Sequence, residues 1–183
     1  MNSLQGSLLV ASPHLKDSPF SRSVVFLVRH DEQGAFGVVL NRPVRGAIRE
    51  SLSPEVTGAA DCDVQVKFGG PVMNSIVALE QQATNVAACT EPAACEAALR
   101  RAFQSTPSTP SRAVRIFIGH AGWQAGQLES ELAQGVWMTT TATPAHVFGD
   151  DEQLWASTVR EIGRSVLRES LGIARFPADP TVN

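Results

Sequence analysis

Short runs of β-branched and aromatic residues, separated by glycine and proline, dominate the pattern of apolar positions along this chain. Runs of this composition between turn residues are typical of β-strands. They predict about eight short strands, at residues 6–11, 23–30, 35–40, 64–68, 76–79, 85–88, 114–118 and 136–141. Four turn residues that end in Gly34 join the second and third runs, so this pair is predicted to form a β-hairpin.

Helical periodicity is clear in two longer segments. An apolar stripe that includes Ala94, Ala98 and Leu99 predicts a helix over residues 91–103. A second stripe predicts a helix from Asp150 or Asp151 to about Leu167. Between and beyond these segments, residues 105–112 are rich in Ser, Thr and Pro and predict an exposed connector, while 173–183 predict a loosely held tail.

The composition restricts the class of protein. A chain of 183 residues with 43% hydrophobic residues is long enough for one ordinary core, so we expect a single domain over 1–183. A net charge of −3 disfavours direct nucleic-acid binding, which needs a clustered cationic surface. The chain also lacks an apolar run of the roughly 20 residues that a membrane-spanning helix needs. These features predict a cytoplasmic protein without a membrane partner.

The sequence contains no recognisable metal or cofactor motif. The three cysteines form no C-x-x-C pair, and the four histidines form no HxH or HExxH motif. A phosphate-binding loop, a dinucleotide-binding glycine motif and a G-x-S-x-G nucleophile motif are also lacking. We therefore predict no metal, no cofactor and no hydrolase of a familiar type.

Residues 119–131 carry the most informative motif, Gly-His-Ala-Gly-Trp-Gln-Ala-Gly-Gln-Leu-Glu-Ser-Glu. Three glycines surround a tryptophan, and an acidic, helical segment follows. This pattern predicts a strand-to-helix turn whose backbone bends sharply or lets another group approach closely. His120 is the one residue of the turn with useful acid-base chemistry, and Glu129 or Glu131 is placed to orient it or accept its proton. The simpler alternative is that His120 only shields the turn.

Together with Leu40-Asn41-Arg42-Pro43 and Gly69-Gly70-Pro71-Val72, this motif resembles the YqgE/AlgH family of bacterial proteins. The resemblance covers roughly residues 6–163 and also includes Gly6 to Ala11, Trp137 and Trp155. The chain departs from the family at His120, where a tyrosine is common, and at Leu79-Glu80, where a leucine-histidine pair is frequent. The resemblance therefore carries over no chemistry at these two positions.

The resemblance implies an α/β fold of the α+β type. The expected architecture is one domain with a bent, mainly antiparallel sheet that forms a partial barrel, with helices packed outside. The name AlgH implies a transcriptional regulator of alginate synthesis. Direct action on DNA is disfavoured here, because nothing in the sequence resembles a helix-turn-helix and the net charge is negative.

Two hypotheses about function follow. The leading one is a non-catalytic module that binds a small ligand or a protein partner in a cleft where three turns converge, through Asn41, Arg42, Gly69, Gly70, Gly122, Trp123 and Gln127. The alternative is a small-molecule enzyme in which Arg42 anchors an anionic substrate and His120 or Glu129 transfers a proton. The enzyme hypothesis requires these three side chains to reach a common cavity.

Overall fold

A computed structural model describes residues 2–43, 64–103 and 113–171 of the chain. The predicted connector at 105–112 and the predicted tail at 173–183 lie outside the described residues. The described part contains eight strands: β1 Ser7–Ala11, β2 Val24–Asp31, β3 Gly34–Val39, β4 Val64–Phe68, β5 Val72–Gln81, β6 Val86–Cys89, β7 Val114–Gln124 and β8 Trp137–Thr141. Four helices complete it: α1 Pro92–Phe103, α2 Gln127–Ala133, α3 Pro144–Phe148 and α4 Asp151–Leu171.

The strands form one mainly antiparallel sheet in the order β6-β5-β7-β3-β2-β1-β8, and β4 pairs in parallel with β7. The sheet curls into a half-barrel with helices packed on it, so the predicted mixed α/β fold with a bent antiparallel sheet is confirmed. The predicted hairpin is also confirmed, because β2 and β3 pair directly and antiparallel.

Both faces of the central strands are buried. Along β2, Val24 and Phe26 belong to one apolar cluster, which α4 covers through Leu154. The alternate residues Val25 and Leu27 belong to a second cluster, which α2 covers through Leu128. Strands with two covered faces read as continuous apolar runs, and this explains why β2 and β3 were easy to predict from sequence.

Three sequence predictions need correction. Residues 119–124 continue strand β7, so the turn before α2 consists only of Ala125 and Gly126. β5 begins at Val72, four residues before the predicted start at Ile76. The prediction began too late because the first half of the strand is exposed and lacks the apolar pattern. Helix α3 was missed, since five residues are too few to show helical periodicity.

The described helices include none that could cross a membrane, because none combines the necessary length with sufficient hydropathy.

Candidate functional site

Strand β7 changes one of its partners near Gly119. Residues 114–118 pair with β4 and residues 121–124 pair with β3, whereas β5 pairs with β7 up to His120. Gly119 lies at this junction with a φ of 75°, a left-handed conformation that strongly favours glycine. The bend predicted from the glycines of the motif is therefore present, but it lies inside a strand.

What approaches the bend closely is the protein's own backbone. A Cβ atom added to Gly70 would lie 2.2 Å from the carbonyl carbon of His120, and one added to Gly119 would lie 2.5 Å from the carbonyl oxygen of Gly70. Gly69 also donates its N–H to the Ile118 carbonyl, at 2.8 Å. The two glycine motifs thus meet through main-chain packing, which leaves no space for a ligand between them.

His120 lies next to the bend and contacts residues that sequence reasoning did not connect with it. Its Nδ1 is 2.7 Å from the Ser75 hydroxyl, and its ring packs against Phe36 with centroids 4.5 Å apart. Burial lowers the pKa of His120 below its usual value. Ser75 sits in an irregular stretch of β5, where three residues of β5, 73–75, lie opposite one residue of β7, Gly119. No sequence motif marks this contact.

Glu129 pairs with His30 instead of His120. The Nε2 atom of His30 is 2.8 Å from Glu129 Oε1, and its Nδ1 accepts the Leu4 N–H at 2.9 Å. Because Nδ1 accepts a hydrogen bond, Nε2 carries the hydrogen and donates a hydrogen bond to the carboxylate. The pKa of Glu129 is lowered mainly by its own backbone N–H at the start of α2 and further by His30.

Trp123 is a core residue. Its side chain packs in the cluster under α2 with only 7% of the residue exposed, and its ring meets Trp137 edge to face at 6.0 Å. Glu131 accepts both indole N–H groups, from Trp123 at 2.8 Å and from Trp137 at 2.7 Å. The structure therefore places Trp123 inside the protein and not on the wall of a cleft.

Gln127 and Gly122 lie at the same end of β7. Gln127 accepts the Gln124 N–H at 3.1 Å and donates to Glu131 at 2.9 Å, so its amide closes the turn before α2. Gly122 has space around it, since the nearest atoms to an added Cβ would be those of the His120 ring, at 3.8 Å. Ligand contacts at these two residues stay a prediction.

Asn41 and Arg42 hold the segment before β2. Asn41 accepts the Val24 N–H and donates to the Arg22 carbonyl, at 3.0 and 2.8 Å. Arg42 uses one terminal nitrogen, Nη2, to reach the carbonyl of Ser21 at 2.6 Å and, at longer range, the Pro19 carbonyl and the Ser23 hydroxyl. Within the described residues, the Nε and Nη1 donors of Arg42 have no hydrogen-bond partner, and no carboxylate pairs with its charge.

Arg42 also lines a cavity of about 730 Å³, a typical size for a small-molecule site. We call it the Arg42 cavity, and it is lined by Ser18, Pro19, Phe20, Ser23, Val39, Arg42, Pro43, Phe68 and Pro71. Six of these nine residues are aromatic, proline or valine. Two of the predicted turns meet here, because Val39 donates its N–H to the Gly69 carbonyl and Phe68 donates to the Arg42 carbonyl.

The Arg42 cavity does not include every predicted site residue. Among the predicted site residues, Arg42 is the one that lines it. Its lining does not include Asn41, Gly69, Gly70, Gly122, Trp123, Gln127, His120 or Glu129. His120 instead adjoins a different cavity of about 570 Å³, through its contacts with Ser75 and Phe36, which both line that cavity. Among the described residues Arg42 and His120 thus adjoin different cavities, and the common site that the enzyme hypothesis requires stays a prediction.

A buried group of charges was not anticipated from sequence. Lys67 and Arg115 are 4% and 5% exposed, and both bind the Asp151 carboxylate at the start of α4. Arg115 also donates to the carbonyls of Val147 and Gly149, and burial lowers the pKa of Lys67. The basic residues belong to apolar strands, and no short-range pattern pairs them with Asp151, which lies 84 positions after Lys67 and 36 after Arg115. These contacts anchor α4 to the sheet.

Cysteine and metal chemistry receives no support from the described residues. Burial raises the pKa values of Cys89 and Cys95, which disfavours the reactive thiolate. Within the same residues, no group of three or more His, Cys, Asp or Glu side chains is placed to hold a metal ion.

Comparisons with known proteins agree with this fold and its motifs. The model of a family described as AlgH-like matches residues 8–167, which is most of the chain. The chain belongs to the AlgH-like family. Similar proteins include a UPF0301 protein of Chlorobium luteolum, which is 37% identical over 97% of this chain and 94% of its own length. A UPF0301 protein of Shewanella denitrificans is 35% identical over 89% of this chain and 93% of its own length.

Two solved structures are similar to the AlgH-like fold described here. The solution structure of the AlgH protein from Pseudomonas aeruginosa is 29% identical, covers 97% of both chains and has a TM-score of 0.61. The crystal structure of a Corynebacterium diphtheriae protein is 24% identical, covers 88% of this chain and 87% of its own, and has a TM-score of 0.66. The second similarity concerns the fold alone.

Proposed function

We propose that this AlgH-like protein is a non-catalytic binding module whose Arg42 cavity takes a small molecule with an apolar body and one anionic end. The observation that carries the proposal is the state of Arg42. Three oxygen atoms accept hydrogen bonds from its Nη2 atom and so orient the guanidinium. Its Nε and Nη1 donors have no partner among the described residues. A cation fixed in this way at an apolar cavity is preorganised to bind a carboxylate or phosphate.

The lining supports the apolar part of the ligand. Phe20, Phe68 and Val39, with three prolines, provide most of the cavity wall. Burial of a short alkyl or aryl group against them stabilises the complex by about 25 cal/mol per Å² of apolar surface removed from water. Arg42 then supplies orientation and charge selectivity. A cytoplasmic location and a regulatory output belong to the same proposal.

The enzyme alternative has less support. His120 and Glu129 do not line the Arg42 cavity, and the Glu129 carboxylate is engaged by His30. A direct regulator of DNA is disfavoured by the net charge of −3.

The test is a binding measurement with octanoate as the anionic probe and octanol as its uncharged counterpart. Phe20 lines the cavity and packs edge to face on Trp137, with ring centroids 5.8 Å apart, so tryptophan fluorescence reports occupancy. Octanoate is expected to shift the fluorescence and raise the melting temperature, whereas octanol binds at least about tenfold more weakly. Equal affinity for the two probes, or binding of neither, contradicts the proposal.

Variants connect the signal to the site. Arg42→Gln is expected to abolish the preference for octanoate over octanol, while Arg100→Gln, which removes an exposed arginine on α1, leaves it unchanged. Pro71→Phe fills the cavity and keeps the Arg42 hydrogen bonds, so it serves if Arg42→Gln fails to fold. Retained octanoate binding in a folded Pro71→Phe variant contradicts this location.

A further inference from the structure

Strand β8 is the last strand of the sheet. It pairs with β1 on one side, and no strand of the described residues pairs with its other side. The sequence of β8 is Trp-Met-Thr-Thr-Thr, which has high β propensity and contains neither the lysine nor the proline that commonly protects an edge strand. This edge is therefore suited to pairing with another extended segment.

The register identifies the backbone groups that face outward. Ser12 donates its N–H to the opposite carbonyl, that of Val136, which makes this pair a hydrogen-bonded one. Pairs alternate along an antiparallel ladder, so Val10–Met138 and Leu8–Thr140 are hydrogen-bonded as well. The N–H and C=O groups of Trp137, Thr139 and Thr141 consequently point away from β1, toward the free edge.

Helix α4 and strand β8 together line a groove. The groove, of about 880 Å³, is lined by Thr139 and Thr140 of β8 and, from α4, by Ser157, Arg160, Glu161, Ile162, Arg164, Ser165, Val166, Arg168 and Glu169. We call it the β8–α4 groove. Arginines at positions 160, 164 and 168 recur every four residues, which places them on one face of the helix.

The charge of the β8–α4 groove is only partly compensated. Arg160 and Arg164 are exposed and form no ion pair with the described residues. The two acidic residues of the groove have other partners, since Glu161 binds His146 at 2.9 Å and Glu169 accepts the Ser165 hydroxyl at 3.1 Å. A negatively charged occupant would meet two available guanidinium groups.

We propose that the β8–α4 groove binds an extended acidic segment of a partner protein, which adds to the sheet as a strand beside β8. Its main chain bonds to the outward groups of Thr139 and Thr141, and alternate acidic side chains reach Arg160 and Arg164. A second copy of this chain is a poorer occupant, because it would bring the same arginines together. A nucleic acid could pair its phosphates with the arginines, but it has no peptide main chain to form β-sheet hydrogen bonds with the edge of β8.

The experiment measures fluorescence anisotropy of a labelled peptide of alternating threonine and glutamate, with an alternating threonine and lysine peptide as its counterpart. The full chain is expected to bind the glutamate peptide and to protect the Thr139 and Thr141 amides from hydrogen exchange. Arg164→Glu should weaken binding about tenfold or more, while the matched reversal Arg100→Glu on α1 leaves it unchanged.

A second pair of variants tests the strand edge. Thr139→Pro removes an outward N–H without touching the ladder to β1 and should abolish binding, whereas Thr139→Val keeps that N–H and should retain binding. Circular dichroism verifies that each variant is folded. The proposal is overturned if neither peptide binds, if both bind equally, or if folded Thr139→Pro binds normally. It is also overturned if an oligonucleotide occupies the β8–α4 groove more tightly than the peptide does, or if the free edge of β8 is buried in a dimer of this chain.

Discussion

His30 and Glu129 are 99 positions apart in sequence, yet Nε2 of one lies 2.8 Å from Oε1 of the other. The His30 side chain is almost fully buried, at 2% exposure, and its second nitrogen accepts the Leu4 N–H. One imidazole thus connects the N-terminal segment, strand β2 and the first turn of α2. The contact with Glu129 ties α2 to the sheet.

This relationship predicts a measurable coupling. His30→Ala is expected to lower the free energy of unfolding by about 2 kcal/mol, because it leaves a cavity and an unpaired Leu4 N–H. Glu129→Gln should cost about 1 kcal/mol, since the carboxylate is 37% exposed and partly screened by solvent. In urea unfolding, a double-mutant cycle should give a coupling near 1 kcal/mol, and simple additivity of the two changes would refute the pairing.

The contact between the two glycine motifs predicts a position-specific response to one methyl group. Gly70→Ala and Gly119→Ala are each expected to destabilise by about 3 kcal/mol, because each combines a positive φ with a clash against main-chain atoms. Gly122→Ala, three residues further along the same strand, meets only the His120 ring and should change stability by less than about 0.5 kcal/mol. Thermal denaturation of the three variants tests the contrast, and equal effects would contradict it.

His120 predicts a pH dependence of stability. Burial lowers its pKa in the folded state, so the unfolded chain takes up a proton at a higher pH than the folded protein does. The corresponding stability is fully present above the unfolded pKa of about 6.5 and is lost as the pH falls toward the folded value. Unfolding free energies from pH 7.5 to 5 should therefore fall more steeply for the parent protein than for His120→Gln. Identical slopes would contradict the assignment.

The charges at the start of α4 predict a strong effect of Asp151. Asp151→Ala leaves Lys67 and Arg115 buried without their shared carboxylate and should cost about 3 kcal/mol. Glu152→Ala, at the next position of the same helix turn, removes an exposed carboxylate and should cost less than about 1 kcal/mol. Urea denaturation distinguishes them, and a small effect of Asp151→Ala would show that the two cations do not depend on it.

The strands were predictable because their pattern is local. Val24 to Leu27 are apolar on both faces of β2, so any window over them indicates a buried strand. β4 was predicted with its observed bounds, Val64 to Phe68, because its apolar residues alternate. The first four residues of β5 escaped prediction, since Val72 and Met73 are followed by the polar Asn74 and Ser75 and show no alternation.

The candidate site was predictable only in part. Arg42, Gly69 and Gly70 were singled out from sequence, and the structure brings their segments together through main-chain hydrogen bonds. The partners of His120 and Glu129 were not predictable, because Ser75 and His30 lie 45 and 99 positions away. Trp123 was predicted to bind a ligand in a cleft because glycines flank it, and the sequence does not show that Trp123 packs in the apolar cluster with Leu128 of α2.

The sequence by itself determined the family, through its motifs, and the approximate positions of eight strands and two long helices, through local periodicity. It also indicated the bend at Gly119, because a residue without a Cβ adopts that backbone conformation freely. Only the tertiary structure decided which histidine Glu129 binds, that Trp123 is internal, and which cavity Arg42 lines. Contacts between distant segments depend on how strands register and curl, and that geometry brings together side chains with no fixed spacing along the chain.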